Sequence, residues 1–297
     1  MKFSYIADTD GQKVKNFLKR QGLSKKLLAK VKFSGGKILV NDQEENAIFR
    51  LTSGDQLDIY APKEPANPAL IPEDFPLDIV FEDEDYLIID KPAGYPSITG
   101  VKKPTGSMCN FVAAYLQKQD YENQCVHLAT RLDTDTSGLM IFAKHSFAHA
   151  VLSSRPKDFV KRYYALVKYD DKLPSHGEIN APIGRAEGSI IERRVRFDGL
   201  MEAKEARTSF DINTVQNGLA LLDLTLHTGR THQIRVHMAY LGYPLIGDDL
   251  YGGDCTLIQR QALHCYHVEF MNVFQKQRLS IDSELPSDLK KLISPHN

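Results

Sequence analysis

His127-Leu128-Ala129-Thr130-Arg131-Leu132-Asp133-Thr134-Asp135-Thr136-Ser137-Gly138-Leu139-Met140-Ile141-Phe142-Ala143-Lys144 crowds polar side chains and a glycine directly ahead of an unbroken apolar run. The run Leu139 to Ala143 predicts a buried strand, and the polar span before it a loop at the strand's mouth. Loops anchored on a rigid strand are where reactive side chains are commonly displayed. Asp133, Asp135, Ser137 and Gly138 also occupy positions 1, 3, 5 and 6 of a calcium loop. That reading fails at position 12, where Lys144 replaces the bidentate glutamate, and the flanks are strand-like rather than helical. On this loop alone a structural reading stays open, with Asp133 capping a turn and Arg131 paired to it.

Outward from this loop the chain alternates short β-like segments (Ile79 to Phe81, Tyr86 to Asp90, Tyr163 to Tyr169, Leu219 to Leu226) with helical patterns at Phe111 to Gln117, Ser146 to Ser154 and Thr231 to Leu241. Turn signals separate the strands too closely for repeated βαβ units. The expected class is α+β, with a mixed, largely antiparallel sheet. Upstream, Pro62, Pro65, Pro68, Pro72 and Pro76 remove backbone donors over a short stretch, which predicts an extended linker at residues 61–76. The expected organisation is therefore a small α+β module at 1–60, this linker, and a main domain at 77–297. Within the module, Val14, Phe17 and Leu18, then Leu27, Leu28 and Val31, mark two short helices separated by Gly22 and Ser24. Ile38 to Val40 and Leu57 to Tyr60 read as strands.

The net charge of −1 conceals an asymmetry. Residues 1–37 hold ten Lys or Arg against two Asp, and residues 42–90 hold fourteen acids against two bases. A positive field concentrated at one end can engage phosphates, although a solvated lysine-rich helix face would look the same. At 297 residues, 42% hydrophobic and 25% charged, the composition is that of an ordinary globular protein of about two domains. There is no apolar run long enough for a membrane span and no secretory pattern near Met1, so no membrane partner is expected. Cys109, Cys125, Cys255 and Cys265 suit free thiols, and the expected location is the cytoplasm.

Phosphate-binding glycine loops and a Gly-x-Ser-x-Gly turn are absent, so no nucleotide cofactor is expected. Cys255, His264, Cys265 and His267, with His232 and His237 nearby, raise a zinc site. Only Cys265 and His267 approach ligand spacing, and no metal is predicted. His145 and His149 are one helical turn apart without the intervening glutamate of a metalloprotease. Two further segments carry polar groups toward a site: Lys161-Arg162-Tyr163-Tyr164-Ala165-Leu166-Val167, and Leu226-His227-Thr228-Gly229-Arg230-Thr231-His232-Gln233-Ile234-Arg235-Val236-His237. In the second, Ile234, Met238 and Leu241 form an apolar stripe, which turns Arg235 away from the core. Gly242 to Tyr251 is a turn-rich stretch compatible with a pocket wall.

Taken together these segments resemble the RluA-type family of RNA pseudouridine synthases, whose Arg-Leu-Asp-x-x-Thr-Ser-Gly signature is matched by Arg131 to Gly138. Asp90-Lys91-Pro92-Ala93-Gly94, Lys161 to Ala165 and Gly229 to His237 through Gly247-Asp248 follow in family order over about residues 77–280. Thr130 stands where many members carry histidine. The N-terminal module, with Leu23-Ser24-Lys25-Lys26 and Gly35-Gly36-Lys37-Ile38-Leu39-Val40-Asn41, looks like the small RNA-binding domain named after ribosomal protein S-four.

The resemblance implies the pseudouridine synthase fold and a cofactor-free isomerase acting on RNA, ribosomal RNA first and transfer RNA second, and the fused N-terminal module makes a monomer the expected state. It implies that Asp133 acts on a flipped-out uridine, as nucleophile or as base. Tyr163 would stack on the base and be the candidate to take the carbon 5 proton, and Arg235 would form a buried ion pair with Asp133. Arg131 would fill the vacated stack, with Ile234 and Lys91 also meeting the substrate. Lys25, Lys26 and Lys30 would hold phosphates, as would Arg193, Arg194 and Arg196. A non-catalytic RNA-binding factor on the same scaffold and a zinc-dependent hydrolase or deaminase are the competing readings.

Overall fold

A computed structural model describes residues 1–100, 103–155, 158–200 and 202–294. The first sixty residues form a four-stranded sheet with two helices on it. In chain order these are β1 (Lys2–Ile6), α1 (Val14–Arg20), α2 (Lys25–Phe33), β2 (Lys37–Val40), β3 (Gln43–Glu44) and β4 (Gln56–Tyr60), with sheet order β1-β4-β2-β3. The helices form where the apolar spacing predicts them. Val14, Phe17, Leu18, Leu27, Leu28 and Val31 all face inward, and Ser24 caps α2 by accepting the Leu27 N–H at 3.2 Å. Asn41 and Asp42, both at positive φ (48° and 65°), make the two-residue turn between β2 and β3 that this backbone conformation favours.

The remaining elements are β5 (Ile79–Glu82), β6 (Tyr86–Lys91), α3 (Met108–Lys118), β7 (His127–Leu128), β8 (Ser137–Ala143), α4 (Ser146–Ser154), β9 (Val160–Lys168), β10 (His176–Asn180), β11 (Ile183–Arg185), β12 (Arg193–Val195), β13 (Arg207–Gln216), β14 (Leu219–Leu226), α5 (Gln233–Tyr240), β15 (Leu263–Asn272), β16 (Gln277–Asp282) and α6 (Ser287–Leu292). Eight strands run in the order β10-β13-β14-β9-β15-β8-β6-β5, with β16 added to β15 and β7 to β8. The sheet is mixed and largely antiparallel: among the described residues its one parallel pairing joins β8 to β15. β11 and β12 form a separate hairpin.

That parallel contact explains Gly138. Its φ of +112° disfavours any side chain, and a Cβ there would lie 2.2 Å from the Cys265 carbonyl oxygen. Only glycine lets β8 start this close to β15, and the start of β8 anchors the Asp133 loop.

The Pro-rich stretch has no helix or strand from 61 to 78, but it is packed rather than loose. Glu64 is buried: its carboxylate accepts from the Ser146 hydroxyl and amide of α4 at 2.6 and 3.0 Å, and from Lys30 of α2 at 3.1 Å. Beside this hub Phe3 of β1 stacks on Phe147 of α4, with ring centroids 4.6 Å apart and planes at 10°. Phe147 lies in the same apolar cluster as Phe17, Leu18 and Leu57. The small sheet and the large one therefore share apolar core through α4. Among the described residues no helix is long and apolar enough to cross a membrane.

Candidate active site

The Asp133 loop enters from β7 and leaves into β8, and fixed partners pin it along its length. Thr130, where the resemblance puts histidine, is buried and its hydroxyl accepts the Ile141 N–H at 2.8 Å. The Ser97 hydroxyl donates to the Leu132 carbonyl at 2.6 Å and accepts the Leu132 N–H at 3.0 Å. Arg260 donates to the Asp135 carbonyl at 3.2 Å. Asp133 itself remains 27% exposed at the side chain. It opens into a cleft of about 800 Å³ whose walls include Arg131, Tyr163, Ile234 and Arg235.

Arg235 comes from the first turn of α5, and the positive-φ residue His232 (57°) sets the helix start. Its guanidinium donates to Asp133 Oδ2 at 3.3 Å through Nη1. The other side of the guanidinium is taken by Asp248, which accepts from Nε at 2.7 Å and from Nη2 at 2.8 Å. Burial would lower the arginine's pKa, but the Asp248 hydrogen bonds and the charges of both aspartates raise it above the ordinary value. The cation is thus held at two carboxylates. One is sealed in the protein (Asp248, side chain 0% exposed) and one faces the cleft.

A second chain of contacts reaches Asp133. Tyr251 lies beneath Arg235, whose guanidinium carbon is 5.0 Å from its ring centroid. The Tyr251 hydroxyl oxygen accepts the Arg193 N–H at 3.0 Å and lies 2.8 Å from His232 Nδ1. The Tyr251 hydroxyl and Nδ1 therefore share one hydrogen bond that orients the imidazole, with Nε2 turned toward Asp133. Nε2 is 3.9 Å from Asp133 Oδ2. Burial lowers the His232 pKa more than the neighbouring Asp133 raises it, which favours the neutral ring.

Tyr163 is buried on β9, opposite Cys265 of β15, and still lines the cleft. Burial pushes its phenol well above the ordinary value, with Cys265 and Asp133 adding to the effect, so the unliganded cleft holds a protonated tyrosine. Ile234 is buried and presents an apolar wall, while Arg131 is exposed at the rim.

Lys91 does not reach the cleft. Fully buried, it donates to the carbonyls of Pro92, Tyr95 and Thr134 at 2.8, 2.7 and 2.8 Å. A buried ammonium must place its three hydrogens on acceptors, and one of these carbonyls belongs to the residue after Asp133. Lys91 therefore ties down the loop rather than the substrate. Burial lowers its pKa to about 8 despite the opposing charges of Asp135 and Asp133.

Arg194 and Arg196 are engaged by Glu192 at 3.0 Å and Asp198 at 2.7 Å. Lys25 is exposed, Lys30 is paired with Glu64, and the side chain of Lys26 lies outside the described residues. The Cys and His cluster near the C-terminus does not converge. His264 meets Ser137 and Ser283, Cys265 adjoins Tyr163, and His267 pairs with Asp282 at 2.7 Å. Among the described residues one group, Glu64, Cys125 and His127, brings three ligand-type atoms within 4.8 Å of one another, and none of the three lines the cleft.

Sequence reasoning placed Asp248 and Tyr251 in a candidate pocket wall and His232 in a motif segment, but gave none of the three a role. The available signal was an acid directly after Ile246-Gly247: a carboxylate next to a buried run needs a cation, and Arg235 is that cation.

Comparison with known proteins places the chain in a family. The family model described as RNA pseudouridylate synthase matches residues 85–240. The chain is 42% identical over 285 residues to an uncharacterised RNA pseudouridine synthase, YjbO, of Bacillus subtilis, covering 96% of this chain and 99% of that one. It is 32% identical to the ribosomal large subunit pseudouridine synthase D of Zymomonas mobilis, covering 82% and 80% of the two chains. Among solved structures, human RNA pseudouridylate synthase domain containing 4 shares the fold with a TM-score of 0.57 at 21% identity, covering 72% of this chain and 92% of that one. A match of this extent to both the family model and full-length relatives makes the chain a member of the RluA-type RNA pseudouridine synthases, isomerases that act on RNA.

Proposed function

We propose that this protein converts a defined uridine in structured RNA to pseudouridine, with Asp133 as the reacting carboxylate and large-subunit ribosomal RNA as the first candidate substrate. The observation that carries the proposal is the partly exposed Asp133, held 3.3 Å from an arginine that a buried aspartate locks from behind. A carboxylate held this way meets a ligand in the cleft without first reorganising.

In the reaction the bond between ribose carbon 1′ and base N1 breaks, the base turns, and carbon 1′ bonds to carbon 5. The carbon 5 proton leaves and N1 gains one, so no electrons are exchanged. Asp133 serves as nucleophile at carbon 1′ or as base toward a sugar proton. Tyr163 stacks on the extruded base. Its raised pKa makes it a poor acceptor for the carbon 5 proton unless its own proton departs as the base turns. Ile234 packs against the base, and Arg131 enters the gap left in the RNA stack.

The N-terminal module acts as an S-four-type RNA contact. Its phosphate contacts come from the exposed Lys15, Lys19 and Lys25, because Lys30 is occupied by Glu64. Ribosomal RNA ranks ahead of transfer RNA because several relatives carry the name ribosomal large subunit pseudouridine synthase D.

The test is pseudouridine mapping in RNA from cells with and without the gene, followed by purified wild-type and Asp133→Asn protein on the RNA that changes. The expected result is one or a few lost positions, restored by wild type and not by the variant, with RNA binding retained by both. Product formation by Asp133→Asn, or no change in any RNA, overturns the proposal.

A further inference from the structure

Beside the cleft, and sharing Gly229, Arg230 and Thr231 with its wall, is a second hollow of about 220 Å³. Four bases line it, Arg185, Arg193, Lys204 and Arg230, against a single acid, Glu202. We propose that this hollow is a phosphate subsite, which holds an RNA backbone phosphate adjacent to the nucleotide extruded into the cleft. The inference rests on the RNA reading of the cleft given above.

Three chain segments build the hollow. The hairpin of β11 and β12 sets Arg185 opposite Arg193. Lys204 is bridged to Ile183 by a reciprocal backbone pair at 2.9 and 3.0 Å, which lays the return segment along the same edge. Arg230 arrives from the Gly229 turn ahead of α5 and is fixed by its Nε donating to the Glu205 carbonyl at 2.8 Å.

The pattern of occupied and free donors points to an anion. Arg194 and Arg196, on the same hairpin, each have a carboxylate partner. The side chains of Arg185 and Lys204 and the two terminal nitrogens of Arg230 have no acceptor among the described residues. Arg193 is partly committed, its Nη1 serving the carbonyls of Ile190, Ile191 and Glu192 at 3.1 to 3.2 Å. Like charges gathered around a concavity repel one another unless an anion joins them, and guanidinium forks match phosphate oxygens. The hollow adjoins the cleft, and a nucleotide extruded beside Asp133 remains tethered through its own phosphates. A backbone phosphate is therefore the anion delivered to this spot.

The experiment uses full-length protein and an unmodified large-subunit ribosomal RNA transcript under single-turnover conditions across a salt series. The variant Arg185→Gln/Lys204→Gln/Arg230→Gln is compared with wild type and with Lys118→Gln/Lys168→Gln/Lys172→Gln, which removes three charges from surfaces lining neither hollow. The first variant should raise the enzyme concentration for half-maximal rate by about 10- to 100-fold, the loss expected for a charge-assisted contact. Its dependence on log salt should flatten by about one ion.

An unchanged half-maximal concentration and slope overturns the subsite, as does an equal loss in the control triple variant. Lys204→Gln alone provides a milder version should the triple variant melt earlier. If wild type forms no pseudouridine on this transcript, the cleft reading fails separately. The subsite is then decided by the salt slope of RNA binding for the same three proteins.

Discussion

Asp248 grips Arg235 more tightly than Arg235 grips Asp133: two hydrogen bonds of 2.7 and 2.8 Å on the buried side, against one of 3.3 Å on the cleft side. The arginine is thus positioned from within the protein and offered to the carboxylate that faces the cleft. This order of dependence has consequences for mutation.

Asp248→Ala should destabilise the fold by about 3 to 5 kcal/mol, because it leaves a buried guanidinium without its main partner. Asp248→Asn keeps the shape and one acceptor, so it should fold better than the alanine variant while losing about 10- to 100-fold in rate as Arg235 drifts. Denaturant unfolding and single-turnover pseudouridine formation check the two arms. Equal activity in Asp248→Asn and wild type would show that the buried pair serves folding alone.

Tyr251→Phe removes the hydroxyl between the Arg193 amide and His232 Nδ1. The ring under Arg235 remains, so stability should fall by only about 1 kcal/mol. The rate should drop about 3- to 10-fold with RNA affinity unchanged, since the histidine loses the hydroxyl that orients its ring. Thermal melts with parallel binding and turnover assays separate these effects.

Gly138→Ala should be poorly tolerated. The added methyl would strike the Cys265 backbone at 2.2 Å, in a φ region that alanine avoids. A loss of about 3 kcal/mol or more is expected, with activity falling because the Asp133 loop hangs from this point. Calorimetry of the variant provides the check, and a melting temperature equal to wild type would contradict the role given to this glycine.

The polar hub under the N-terminal module predicts a pH signature. Burial would lower the His127 pKa, but Cys125 and Glu64 beside it raise it to about 9, while hydrogen bonds from His127 and Ser146 hold Glu64 below the usual carboxylate range despite its burial. A raised histidine contributes stability that is complete below its unfolded value of about 6.5 and lost as pH climbs through 9. The Glu64 contribution is complete above its unfolded value near 4.5 and is lost only as pH falls through the depressed folded value. Melting temperature should therefore decline between about pH 6.5 and 9, and His127→Asn should flatten that decline.

How far the sequence foretold this structure follows from how local each signal is. β14 and α4 lie at the predicted residues because Leu219 to Leu226 and Ser146 to Ser154 carry their own periodicity. β1 went unread since Lys2–Ile6 is short and gains its meaning only by pairing with β4. β15 was obscured by its His and Cys content, which reads as chemistry in sequence but is interior packing in space. Asp133 and Arg235 were legible through the resemblance, although 102 residues separate them. Asp248 was not, because which acid a buried arginine selects depends on the turn at Gly247. Lys91 was misread for a related reason: a lysine in a motif suggests a ligand, and only the fold reveals that its ammonium is saturated by carbonyls.

The face-to-face Phe3 and Phe147 rings join the small sheet to the large one across α4. Under the RNA reading, the span between the exposed lysines Lys15, Lys19 and Lys25 and the Asp133 cleft is set by that shared core. A hairpin or junction whose phosphates do not bridge that span would gain one contact but not both. The enzyme would then sort its targets by dimension, much as a gauge accepts only parts of one size.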